Sequence, residues 1–252
     1  MNPMLRSLLL IFALLGIPGR AQAPSPKALR VAAAASLHGA LDEIAGDFER
    51  AHPGQKIQIS YGASGSLTAQ ILQGAPFDLF LAADMDYPVK AANGREGMKV
   101  FAYARGRLVL WVKKDLGLDP ARDGIALLKD ARIARVALAQ PKLAPYGAAA
   151  EASLRSAGLW EPLQPKLVFG GNIAQTAQYA LVGSVDAAFI AASDARHPDL
   201  QAKGFEWFVP ENLHPPLLQG GVVLNSDAEA FAAFVRSSEG RAVFLRSGFD
   251  AP

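Results

Sequence analysis

The 252-residue chain carries 25 Lys and Arg against 23 Asp and Glu, four His and no Cys. The missing cysteine excludes a zinc–thiolate site, a cysteine nucleophile and a lipid-modified N-terminal cysteine. No run of Lys or Arg suggests nucleic acid or an anionic membrane surface as a partner.

The chain opens like an export leader. Met1–Arg6 is a short segment with one cation, Ser7–Ile17 is apolar, and Ala21-Gln22-Ala23 fits the small-x-small cleavage rule. Gly19-Arg20-Ala21 is a second candidate cut, since Pro24 follows the first. The apolar run is about half of the ~20 residues a spanning helix needs. Residues 1–23 are therefore expected to be a cleaved signal peptide that places the protein in the periplasm. Removing Arg6 and Arg20 leaves 23 basic against 23 acidic residues, so the formal charge of +2 belongs to the leader.

After the leader, Leu29–Ala35 reads as a buried strand, and Leu37, Leu41, Ile44, Ala45 and Phe48 recur at helical spacing. Ile57, Ile59 and Tyr61 alternate with polar residues as a strand does. Leu67, Ile71 and Leu72 mark a helix, and Phe77–Ala83 and Arg107–Val112 two more strands. Val136–Ala139 is a strand, followed by an Ala-rich helix from Pro145 to Gly158. Lys166–Phe169 leads to a helix with Ile173, Ala177 and Leu181. Val185–Ala191 and Val222–Leu224 are strands, and Phe231, Phe234 and Val235 lie on a closing amphipathic helix. Strands alternating with helices predict an α/β fold with mostly parallel sheets. One internal echo supports two similar halves: Asp78 before LFLAA and Asp84, and Asp186 before AAFIAAS and Asp194.

Four times an apolar strand runs into a small or hydroxylated turn and then a helix start: 34–36, 62–66, 144–147 and 170–173. In parallel α/β sheets ligands bind beyond the carboxyl ends of the strands. First helical turns present unpaired N–H groups and a partial positive charge, so several together would make an anion site. The windows 33–39, 62–67, 144–149 and 170–175 hold no Lys, Arg, Asp or Glu. Donors without a carboxylate suit an anion that only accepts hydrogen bonds, such as molybdate, tungstate or sulfate; phosphate near neutral pH keeps a proton that would want an acceptor. Taken singly, Ser36 and Ser64 read more readily as helix caps than as ligand donors. Enzymatic readings fit poorly. Gly62-Ala63-Ser64-Gly65-Ser66 misses the nucleophile elbow at its last residue, which argues against a secreted hydrolase using Ser64. His38, His52, His197 and His214 show no zinc-type spacing. Asp84 and Asp86 read as caps before they read as cation ligands.

At these turns the chain resembles the periplasmic molybdate-binding proteins of ABC importers, which have the type II periplasmic-binding fold. The resemblance covers about 29–250. It is carried by AAAASL (32–37), YGASGSLTAQI (61–71), GAPFDLFLAAD (74–84), GRLVLWV (106–112), APYG (144–147), GGNIAQ (170–175), AAFIAASDA (187–195) and RSGF (246–249). It implies an α/β protein of two lobes joined by a hinge, 28–112 plus 218–252 and 113–217. It also implies a molybdate or tungstate ligand without a cofactor or a resident metal, a permease and ATPase as partners, a monomer, and no catalysis. Another tetrahedral oxyanion such as sulfate is the alternative ligand. By resemblance Ser36 and Ser64 each supply a hydroxyl and a backbone N–H, while Tyr146 and Ile173 supply backbone N–H groups. Some relatives carry a ligand tyrosine where this chain has Ala191, and some a Thr where it has Ala35; others share the Tyr of the third turn. Tyr146 is thus a candidate to give its phenol as well as its N–H, and Ala35 stands at an additional position of the site.

Overall fold

The structure, a computed structural model, describes residues 28–95 and 97–252; the expected leader, residues 1–23, lies outside them. Ten strands form two five-stranded sheets. The first half of the chain lays down β1 (Leu29–Ala34), β2 (Ile57–Gly62), β3 (Leu79–Ala82) and β4 (Val100–Gly106), with helices α1 (Ala40–Ala51), α2 (Ser64–Leu72) and α3 (Asp86–Ala92) between them. Then come β5 (Leu108–Lys113), α4 (Pro120–Asp123), β6 (Val136–Ala139), α5 (Pro145–Ser156), α6 (Trp160–Leu163), β7 (Leu167–Gly170), α7 (Ile173–Leu181), β8 (Ala187–Ala191), α8 (Ala192–Ala195), α9 (Pro198–Lys203) and β9 (Gly204–Phe208). The chain ends with β10 (Leu217–Val223), α10 (Glu229–Val235) and α11 (Ser238–Arg246).

The two sheets have one plan. Their orders are β2-β1-β3-β10-β4 and β7-β6-β8-β5-β9. In each, three parallel strands are followed by a strand that enters antiparallel and by an antiparallel edge strand. The expectation of mostly parallel sheets is thereby refined to an even mixture. The reason is the chain path: β5 crosses into the second sheet and β10 crosses back into the first, each running against its neighbours.

That path also moves a boundary. The sequence placed residues to 112 in the first lobe, but β5 pairs with β8 and β9 in the second sheet. The first crossover therefore falls at 106–108. The run RLVLWV shows only that a strand is buried on both sides; which sheet buries it is set by register with Ala187–Ala191.

The apolar periodicity lands where it should. Leu37, Leu41, Ile44, Ala45 and Phe48 are all buried, although the helix proper starts at Ala40, after a 3-10 turn over Ala35–Leu37. Leu72 is an exception: at the last turn of α2 it is half exposed. The closing helix is two, α10 and α11, broken where Ser237 caps the second by accepting from Gly240 N–H. Among the described residues no helix is long and apolar enough to cross a membrane.

Candidate functional site

The parallel strands of each sheet deliver their turns to the gap between the lobes. β1 ends at Ala34 and passes into the 3-10 turn that holds Ser36. β2 ends at Gly62, and α2 begins at Ser64. Opposite, α5 begins at Pro145, a residue suited to a first helical position because it has no N–H to leave unpaired. β7 ends at Gly170, and Asn172 caps α7 by accepting from Gln175 N–H at 2.9 Å, which sets Ile173 as its first residue.

These turns line one small pocket, a cavity of about 10 Å³. Ser36, Ser64, Tyr146 and Ile173 all line it, and so does Ala35; Ala34, Gly62, Ala63, Ala83, Ala144 and Pro145 complete the wall. No lining residue carries a charge. Ala191, fully buried at the end of β8, is not part of the wall. His38 is exposed beside a different and wider groove, where it lies 3.7 Å from Asp42. Asp84 acts as a cap, its Oδ1 accepting from Tyr87 N–H at 3.0 Å. No group of three His, Cys, Asp or Glu able to hold a metal ion occurs among the described residues.

The cavity is a set of donors. Among the described residues, the backbone N–H groups of Ser36, Ser64, Tyr146 and Ile173 have no protein acceptor; first-turn amides have no carbonyl four residues back. The Ser36 hydroxyl is buried and has no partner. Ser64 Oγ accepts from Ala83 N–H at 3.0 Å, which leaves its own proton to donate. A buried hydroxyl without a partner costs ~1–3 kcal/mol, and an acceptor placed among these groups would recover it.

The lobes are drawn together around this space. Gly65 N–H donates to Leu143 O at 2.8 Å, Ser193 Oγ to Ser36 O at 2.9 Å, and Tyr87 to Lys142 O at 3.2 Å. A fourth bond was not legible in the sequence: Gln219 Nε2 on β10 donates to the Tyr146 phenol oxygen at 3.2 Å. Its only advance signal was a lone amide in the otherwise apolar run LLQGGVV. Tyr146 is buried, and that burial, with the charge of Asp194, raises its phenol above the ordinary tyrosine range; Ser36 and Gln219 oppose the rise only in part. The phenol therefore stays protonated and able to donate. Burial also raises the Asp194 carboxyl to about 7, against the backbone N–H of Ala191, and its Oδ2 has no partner.

Known proteins share this chain's sequence pattern and fold. The model of the bacterial extracellular solute-binding protein family matches residues 29–250. The molybdate-binding protein ModA of Rhodobacter capsulatus is 39% identical over 207 residues, 78% of either chain. That of Azotobacter vinelandii is 36% identical over 230 residues, 88% of this chain and 89% of its own. The solved periplasmic molybdate-binding protein of Azotobacter vinelandii superposes with a TM-score of 0.80 at 30% identity, covering 89% of this chain and 99% of that one.

Proposed function

The chain belongs to the bacterial extracellular solute-binding protein family, and on that footing we propose that it captures molybdate, or the chemically similar tungstate, between its lobes and hands it to the permease and ATPase of an ABC importer. The observation that carries the ligand is the wall of the cavity: four unpaired backbone N–H groups and two serine hydroxyls, with no charged side chain. Such a wall neutralises a dianion by dipoles alone. It offers no carboxylate to a ligand that still holds a proton, which disfavours phosphate. Sulfate is the smaller ion, so donors fixed at the spacing of a larger one reach it through longer and weaker bonds.

The residues that would hold the anion are Ser36 and Ser64, through hydroxyl and N–H, and Tyr146 and Ile173 through N–H; Ala35 adds backbone only. Lobe closure about the crossovers at 106–108 and before β10 brings the two pairs together, as hinged binding proteins do. The protein acts as a monomer, by capture and release with no covalent step. Residues 1–23 serve as its export signal to the periplasm.

Thermal shift and calorimetry with molybdate, tungstate, sulfate and phosphate test this. A ligand at 100 times its Kd stabilises the fold by ~2.7 kcal/mol. Molybdate and tungstate are expected to raise the melting temperature and to compete with each other, while sulfate and phosphate displace them poorly. If sulfate at equal concentration displaced half the molybdate, the ligand assignment would be wrong. No shift with any of the four would overturn the anion reading.

A further inference from the structure

Behind the anion cavity runs a buried chain of hydrogen bonds that joins the lobes, and Gln219 is its middle link. Gln219 is fully buried on β10, between β3 and β4. Its Oε1 accepts from the Tyr103 phenol at 2.9 Å, and its Nε2 donates across the interface to the Tyr146 phenol oxygen. The Tyr103 oxygen also lies 2.7 Å from Ala82 O. The next residue, Ala83, gives its N–H to Ser64 Oγ. The chain thus begins under one serine of the cavity. It ends at a phenol whose oxygen already accepts from Gln219, so that its own proton is left for the cavity, where Ser36 Oγ has no partner. Tyr103 and Tyr146, like Gln219, are buried to within 1% of their surface, so none of these groups trades its partner for water.

We propose that Gln219 is a positioning residue for anion retention: it orients the Tyr146 phenol toward the cavity and makes a bond between the lobes that exists only when they are together. The proposal rests on the reading that the anion sits in this cavity. The first crossover is shaped to permit the bond. A Cβ at Gly106 would stand 2.2 Å from the Tyr146 phenol oxygen and 2.7 Å from Gln219 Nε2, so only glycine leaves room for the two groups to meet. A bond made on closure and absent when the lobes part acts on release more than on capture.

The test is stopped-flow kinetics and calorimetry with sodium molybdate on the wild type, Gln219→Leu, Tyr146→Phe and the double variant. Each single variant is expected to weaken binding about tenfold, through faster release, with association within about twofold of wild type. The double variant should lose no more than the worse single one, because both remove the same bond. Release within about twofold of wild type in Gln219→Leu, or losses that multiply in the double variant, would overturn the proposal. So would a Gln219→Leu that lowers the melting temperature of the ligand-free protein and leaves release unchanged, since that is the mark of a core-filling role. If Gln219→Leu does not fold, Gly106→Ala intrudes on the same contact from the backbone, and unchanged release there overturns the proposal equally. A wild type that fails to bind molybdate strikes at the anion reading instead, so the two failures are told apart.

Discussion

The two lobes are built on one strand order and contribute different chemistry. In both, an aspartate just before the third parallel strand ties down the start of its neighbour: Asp78 accepts from Arg30 N–H at 2.8 Å, and Asp186 from the N–H groups of Ala134 and Arg135 at 2.9 Å. In both, a second aspartate follows that strand, and burial raises its carboxyl. There the likeness stops. Both lobes bring first-turn amides to the cavity, but the first adds two serine hydroxyls and the second a phenol. Asp84 caps a helix, while Asp194 leaves an oxygen unpartnered. The shared plan fixes where turns meet a ligand, and the residues on the turns decide what each half contributes.

The strongest way to break the comparison lies in the second lobe. Its turn packs on its own backbone: a Cβ at Gly147 would stand 2.1 Å from Ala139 O and 2.7 Å from Ala139 C. Neither atom can move aside, so Gly147→Ala should displace the start of α5. We expect a fold destabilised by ~1–3 kcal/mol or more and molybdate affinity reduced by more than about 100-fold; calorimetry and thermal melting measure the two. Ser64→Ala comes next. A hydrogen bond to a charged group contributes ~1.5–3 kcal/mol, or ~10–100-fold in affinity. This variant also leaves the Ala83 N–H without its acceptor, so stability falls with it. Ser36→Ala should lose affinity on the same scale with less loss of stability, because no protein group meets that hydroxyl in normal hydrogen-bond geometry and only the Tyr146 phenol is influenced by it. Unchanged affinity in both serine variants would remove the first lobe from the site.

Smaller effects sharpen the contrast. A Cβ at Gly65 would meet the Tyr87 phenol at 2.8 Å and, across the interface, Leu143 O at 3.0 Å. The Tyr87 phenol belongs to the same lobe and ends a side chain that can turn aside, whereas Leu143 O is backbone, so Gly65→Ala should oppose closure. The expected result is about a tenfold loss of affinity, ~1.4 kcal/mol, with the ligand-free melting temperature unchanged. A fall in that temperature would place the strain within the first lobe. The two second aspartates give the mildest test. Asp194 has a folded pKa of about 7 against an ordinary 3.8, so the folded state holds more protons than the unfolded one between those values. Stability is then lost as pH rises through that window. His38, Arg196, His197 and Arg246 share its groove, and none of them hydrogen-bonds its Oδ2. Asp194→Asn should raise the melting temperature by about 2–4 °C at pH 8 and change little at pH 4. Asp84→Asn should do less, since an amide oxygen can still cap Tyr87. Equal melting temperatures of Asp194→Asn and wild type at both pH values would show that the carboxyl is not held protonated.

Much of this was legible along the chain. Apolar spacing marked α1 down to the buried face of Leu41, Ile44 and Phe48, and Val136–Ala139 was read with its observed ends. The four turns stood out because strand-then-helix starts are local patterns, and the lack of charge in their windows is a property of sequence alone. β4 was missed: Phe101 to Arg105 alternates only weakly, and the strand sits at a sheet edge. The crossover at Gly106 was missed by a whole strand, because a run such as Leu108–Val112 is apolar whichever sheet it joins. Gln219 and Tyr146 lie 73 positions apart, and nothing local to either one names the other. The sequence by itself determined most of the segments that are strands and helices, the sheet-edge strands β4 and β9 excepted, and that their turns offer donors without charge, since those depend on neighbours three or four residues away. Only the tertiary structure decided which turns share a cavity, which hydroxyl is left without a partner and which groups bond across the lobes, because those follow from sheet register and from the chain crossing twice between lobes.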